Sequence, residues 1–241
     1  MTREDNRQAR DLLYSAIEIE PDNAATLALY SEALLRMWIN GWSDRPEAEL
    51  ADSFSTAKRA DEIDDQDSRT QTALGQAYLY QRELEKAKRH FKLALRLNPN
   101  DTRVLVYYSR QAVSEGNTER AVALCHQAVT LNPYGKYSWN LGVACFVARR
   151  YGETVEHLES IRNPAETVLA ILAASYAMGG DDAKAASTHA RFSEAAKASP
   201  HLSRLSGSED WRDYYAARWP FRNHEDLQHL LEALGKAGFP I

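Results

Sequence analysis

Cysteine is nearly absent from this chain of 241 residues: Cys125 and Cys145 are the only two. No CxxC pair and no Cys/His ligand spacing accompanies them, so neither a zinc site nor a disulfide framework is supported. The usage fits a reducing cytosol. No apolar run approaches the ~18 residues needed to cross a bilayer. Met1 to Arg10 is charged and polar, without the apolar stretch of a signal peptide. A cytoplasmic chain with no membrane contact is therefore expected. A basic stripe is missing too. The net charge is −5 with both signs interspersed, whereas phosphate binding needs clustered Lys and Arg. The positives of Lys86 to Arg89 sit beside Glu83 and Glu85 and read as a solvated helix face. Nucleic acid is accordingly not expected as a partner. GxSxG, P-loop, GxGxxG and HExxH patterns are all lacking.

What the sequence does have is repetition. Pro99 and Pro133 stand 34 residues apart, and Pro21 lies 78 before Pro99. Each follows a similar stretch, Ile17-Glu-Ile-Glu, Leu95-Arg-Leu-Asn or Val129-Thr-Leu-Asn. A proline there stops one helix, because it cannot donate the next backbone hydrogen bond and restricts the residue before it. The residues that follow, Asp22-Asn23, Asn100-Asp101 and Tyr134-Gly135, suit a cap or turn. The clearest unit, 68–101, carries Leu74-Gly75, Tyr78, Ala87, Phe91, Ala94 and Pro99. Gly75 and the alanines let two antiparallel helices approach, Tyr78 and Phe91 fill the space between them, and stacking on a neighbour buries the remaining apolar face.

These residue types at this spacing resemble the tetratricopeptide repeat (TPR). The resemblance implies an all-α, right-handed α-α superhelix over 1–200. Its parts are a half repeat at 1–21, repeats near 24–67, 68–101, 102–134, 135–164 and 165–200, and a C-terminal helical cap at 201–241. In unit 102–134, Cys125 takes the slot of Phe91, a core role, with Gly116-Asn117 as the turn. Unit 24–67 needs about ten extra residues around Ile39 to Pro46, where Trp38 and Trp42 either fold the loop back or form an exposed contact; folding back is the favoured reading. Ala9, Leu13 and Ala16 mark a second-type helix whose own first helix is missing. In the cap, Trp211, Tyr214, Tyr215 and Trp219 share one broad face. Asn223 caps a last helix from about His224 to Ala237, striped by Leu227, Leu230, Leu231 and Leu234. The cap either shields the last repeat or acts as a detachable lid.

In TPR proteins the first helix of each pair lines the concave, partner-binding face. Carried over by position, that face holds Glu32, Leu35 and Arg36; Thr72, Gln76, Leu79 and Tyr80; Val106, Arg110 and Val113; and Trp139, Val143 and Phe146. Such an apolar and aromatic groove with a few polar points suits a peptide or helix, unless the chain's own C-terminal segment covers it. The carboxylate clamp of chaperone-tail TPRs is not present, since its slots hold Thr72, Gln76, Val106 and Arg110. The histidines His90, His126, His157 and His189 fall on second helices at unlike repeat positions and read as edge residues rather than ligands. Asp64-Asp65 and Asp181-Asp182 read as caps and turns. No catalytic residue, metal or cofactor is expected.

The ending from Arg218-Trp-Pro-Phe through Lys236-Ala-Gly-Phe-Pro240, with the insertion bearing Trp38, Gly41 and Trp42, resembles the C-terminal TPR region of bacterial class III adenylate and guanylate cyclases. Similar tails follow winged-helix transcriptional regulators. No cyclase metal or nucleotide motif is visible, so the resemblance implies a regulatory module that binds a protein, a peptide or a second copy of itself. A small-molecule sensor, binding at the insertion or near Trp139, is the alternative.

Overall fold

The computed structural model describes residues 2–241. Thirteen α-helices, and no strand, occur among the described residues. They are α1 (Arg3–Ile19), α2 (Ala24–Ile39), α3 (Pro46–Ile63), α4 (Ser68–Tyr80), α5 (Leu84–Leu97), α6 (Thr102–Ser114), α7 (Thr118–Leu131), α8 (Ser138–Val147), α9 (Tyr151–Glu159), α10 (Glu166–Gly179), α11 (Asp182–Lys197), α12 (Ser208–Arg218) and α13 (His224–Lys236). From α2 to α11 each helix packs on the next in sequence, and each first helix also packs on the first helix of the following pair. This is the stacking geometry of an α-α superhelix.

Helix starts follow local chemistry. Asn23, Asp67, Asp101, Asn117 and Asp181 each accept a backbone N–H of the first turn with their side chains, which satisfies a donor the helix leaves free. Asn223 occupies the N-cap position of α13 but makes no such bond. Its amide donates instead to Asp226 Oδ2 at 3.3 Å.

The turns inside the pairs are built alike. Gly41, Arg82, Gly116, Arg149 and Gly180 all have positive φ. The N–H after each donates five residues back, Trp42 to Met37, Glu83 to Tyr78, Asn117 to Ala112, Arg150 to Cys145 and Asp181 to Tyr176, at 2.8–3.0 Å. This is the Schellman closure. Two of the five positions carry arginine where the left-handed backbone favours glycine, so the sequence alone shows fewer turns than the fold contains.

The insertion near Ile39 to Pro46 is mostly helix rather than loop. The connection spans only 40–45, while α2 and α3 run 16 and 18 residues against 13 and 14 for α4 and α5. Close approach within pairs is enforced by two glycines. A Cβ on Gly75 would meet the Phe91 ring at 3.0 Å, and one on Gly142 would meet Leu158 Cδ2 at 2.5 Å. Cys125 is fully buried, with Sγ 3.2 Å from Ser109 Oγ. Burial pushes the Cys125 thiol up to about 11, and burial with Glu153 nearby does the same for Cys145. Neither is a reactive thiolate.

The C-terminal segment does two things. Helix α13 packs on α10, and Phe239 beyond it sits 4.5 and 4.7 Å, ring to ring, from His189 and Phe192 of α11. That covers the last pair. Helix α12 instead runs into the concave face. Its Trp211, Tyr214, Tyr215 and Arg218, with Trp219 and Phe221 just beyond, are all buried.

The two ends of the solenoid also meet. Ser199 Oγ and the His201 N–H both donate to the Gly41 carbonyl, at 2.6 and 3.3 Å. Thr167 Oγ1 donates to Asn40 Oδ1 at 2.9 Å, and Arg3 Nη1 to the Ala198 carbonyl at 2.5 Å. The first full repeat thus touches the last, and the superhelix closes around α12.

Candidate functional site

The concave face begins with first helices that are buried nearly all round, as elements packed on two sides must be. Of the residues assigned to it by position, Glu32, Leu35, Thr72, Gln76, Leu79, Tyr80, Val106, Arg110, Val113, Val143 and Phe146 are buried, and Arg36 and Trp139 are half-buried. The face is filled by the protein itself. Arg110 lies 4.1 Å from the centroid of the Trp219 ring, and Trp139 meets the same ring edge-on at 6.5 Å. Phe146 stacks on His229 of α13 at 5.4 Å. Tyr80 packs edge-on to Trp38 at 5.5 Å.

Arg218 is the centre of this contact. Its guanidinium stands 4.5 Å from the Trp38 ring and 3.8 Å from the Tyr214 ring. Its Nε donates to the Trp38 carbonyl at 3.0 Å and its Nη1 to the Tyr214 carbonyl at 3.3 Å. Burial pulls its pKa below the usual arginine range. Burial likewise pushes the Tyr214 phenol up to about 12 and Tyr215 well above the ordinary tyrosine value, so both hydroxyls stay protonated. Sequence reasoning placed the aromatic face of this helix but passed over Arg218. The available signal was a cation set among four aromatic residues, which is an arrangement suited to cation–π packing.

Trp42 folds back and is buried, its Nε1 donating to Glu166 Oε2 at 2.9 Å. Glu32, Arg36 and Val106 make other contacts within the solenoid. Glu32 pairs with Arg103 at 2.6 Å. Arg36 donates to Asn6 Oδ1 at 3.1 Å and to Tyr107 Oη at 3.3 Å, while Asn140 Nδ2 donates to the Val106 carbonyl at 3.1 Å. Burial raises the Glu32 pKa, opposed by Arg103 and Arg36. Thr72 turns its hydroxyl back onto the Ser68 carbonyl at 2.6 Å. Gln76 leaves its buried Nε2 without a partner.

Outside the groove, two surface features stand out. Leu12 (73% exposed), Tyr14 (51%) and Ile19 (87%) of α1 face solvent at the end of the stack. An open surface cleft of about 430 Å³ beside Trp42 is lined by Arg3, Arg162, Asn163, Glu166 and Arg191 among others. No group of three or more His, Cys, Asp or Glu residues placed to hold a metal occurs among the described residues. No helix among them is long and apolar enough to cross a membrane.

The tetratricopeptide repeat model matches residues 69–101, the unit with the fullest signature. No curated protein matches the sequence. Among solved structures, the chain is similar to a tetratricopeptide repeat protein from Parabacteroides merdae, at 17% identity and TM-score 0.54, over 96% of this chain and 93% of that one. It is similar to a chain of the APC/C hetero-tetramer Cut9-Hcn1, at 13% identity and TM-score 0.61, over 95% of this chain but 46% of that one. A third similar structure is that of Pseudomonas aeruginosa pilF, at 18% identity and TM-score 0.50, over 89% and 90%. Identities this low speak for the fold alone. Residues 69–101 are thus a tetratricopeptide repeat within a chain that has the TPR solenoid fold, a fold that generally mediates protein or peptide binding and is typically non-catalytic.

Proposed function

We propose that this chain is a non-catalytic protein-interaction module that docks a helix of a partner subunit, or of a second copy, against α1. The observation supporting this reading is the exposure of Leu12, Tyr14 and Ile19 on the terminal helix. Among the described residues every other second-type helix from α3 to α9 packs between two first helices, whereas α1 packs on one first helix, α2. In this reading the concave residues, from Glu32 and Arg36 through Thr72, Gln76, Leu79, Tyr80, Val106, Arg110 and Val113 to Trp139, Val143 and Phe146, serve the chain's own C-terminal segment. The resemblance to cyclase-associated regions favours a setting within a larger signalling protein.

The double variant Leu12→Asp/Ile19→Asp tests the reading. Both side chains are exposed, so the melting curve should move by less than about 0.5 kcal/mol. Self-association seen by sedimentation equilibrium, or cross-linking of a partner helix to α1, should disappear. A strict monomer at high concentration, together with no cross-link at α1 in the native host, would defeat it.

A second reading, a small-molecule sensor, is favoured by the open cleft of about 430 Å³ beside the insertion. Arg162 and Arg191 line it with no ion pair among the described residues, while Glu166 is engaged by Trp42. That volume lies within the ~300–1,000 Å³ of ligand sites. Melting in a panel of small di- and tricarboxylates and phosphates is the check. A binder should raise the transition by about 2.7 kcal/mol at a hundredfold excess over its Kd, and Arg191→Ala should abolish the effect.

A further inference from the structure

Helix α1 carries a stripe that the solenoid itself does not use. Successive residues turn about 100° around an α-helix, so Ala9, Leu12, Ala16 and Ile19 share one face. Leu12 and Ile19 are 73% and 87% exposed, and the two alanines are half-buried. None of the four belongs to the buried core. Along the stripe, small and large side chains alternate at the spacing of a helix–helix seam.

Size and charge both specify what fits there. Run in reverse, this order is its own complement. Two copies of α1 laid antiparallel set Ala9 opposite the second copy's Ile19 and Leu12 opposite its Ala16. Every layer of the seam then holds one large and one small side chain, which packs densely. A parallel pair would set alanine on alanine and leucine on leucine, leaving gaps between crowded layers. Much of the charge beside the stripe is already matched within the chain. Arg7 holds Glu4 at 2.7 Å and Asp11 at 3.8 Å, and Arg59 holds Asp22 at 3.1 Å. A strongly charged partner segment therefore gains little at these positions, and selection falls to shape. The end of α1 is different. Glu18 and Glu20 stand there, and the last turn holds no basic residue. An antiparallel second copy brings the positive end of its helix dipole to that acidic end.

We infer that a second copy of this chain covers the stripe, α1 against α1 in antiparallel register, with the twofold axis level with Tyr14. The inference rests on the reading of α1 as the docking face and names its occupant. The interface is isologous, the same patch on both copies. One pair of 17-residue helices is a small interface, so the dimer is a reversible one.

Thiol cross-linking of the intact chain tests both the occupant and the register. Gln8 and Ser15 are exposed and flank the stripe, and the native Cys125 and Cys145 are buried. In the antiparallel register the two copies of residue 15 lie about 3 Å apart along the helix axis, and the two copies of residue 8 about 18 Å apart. A short thiol-to-thiol cross-linker should therefore give a covalent dimer of Ser15→Cys and leave Gln8→Cys monomeric. Leu12→Ala should not move the melting curve, because the side chain is exposed. It should raise the dimer Kd in sedimentation equilibrium about a hundredfold, since two leucines leave the interface. Equal cross-linking of the two cysteine variants, or none of either at high concentration, overturns the proposal. A strictly monomeric chain that cross-links through α1 to a different protein in the native host overturns the self-pairing and leaves α1 as a docking face.

Discussion

A chain carrying Trp219→Ala is expected to lose about 4 kcal/mol of stability, in the range of other Trp or Phe truncations in cores. The indole is buried, stacks on Phe221 at 5.6 Å, meets Trp139 at 6.5 Å and lies under Arg110. Removing it opens a cavity and takes away the π face that helps keep a buried guanidinium tolerable. Urea unfolding followed by circular dichroism reads the change as a lower midpoint. The same experiment separates a core element from a detachable lid. If residues 205–241 were a lid, Trp219→Ala would leave the main helical transition in place and only make the stretch near Ser206 and Gly207 open to protease. If α12 is part of the core, the whole transition shifts together. Burial of five aromatic side chains, at about 2 kcal/mol each, favours the second outcome.

Acidification from about pH 6.5 to pH 4 is expected to destabilise the fold by about 3 kcal/mol through His229 alone. Burial, with Arg149 adding to it, lowers the pKa of this imidazole from 6.5 to about 4. The ring lies against Phe146, with Nε2 3.2 Å from Tyr151 Oη. A depressed histidine pKa means that the unfolded chain binds more protons than the folded one between the two values. Stability is then complete above about 6.5 and is lost as pH falls toward 4, at about 1.36 kcal/mol per pKa unit. Burial also lowers His90, His189 and His201, and these act with the same sign. Glu32 and Glu49, raised by burial, oppose it, because the fold favours their protonated forms. Melting temperatures across this window should therefore fall with acid, and His229→Phe should flatten the slope. A His229→Phe chain as acid-sensitive as the parent would show that the ring is not held neutral.

Much of this architecture could be read from residue types. The stops at Pro21, Pro99 and Pro133, and the run Leu74-Gly75-Tyr78-Ala87-Phe91, follow from contacts within about 34 residues, where chemistry and spacing are enough. The stripe of Leu230, Leu231 and Leu234 marked α13 as half-buried for the same reason. What repeat logic could not supply was curvature, which depends on small rotations summed over five pairs. Whether Ser199 reaches Gly41, 158 residues away, is such a sum. The groove did leave a trace in the sequence. Leu79, Val113, Val143 and Phe146 form an apolar row too greasy for a face open to water, and a row like that calls for an inner helix. The arginines at 82 and 149 concealed two turns, because the stacked pairs override the preference for glycine there.

The bonds to the Gly41 carbonyl have a mechanical consequence. An open superhelix behaves as a spring, lengthening and shortening through small rotations shared among its coils. Fastening the first coil to the last removes that soft mode, and a helix packed against the inner face stiffens what remains. Pulled from its two ends, this molecule should resist like a buckled ring and then yield abruptly, rather than stretch.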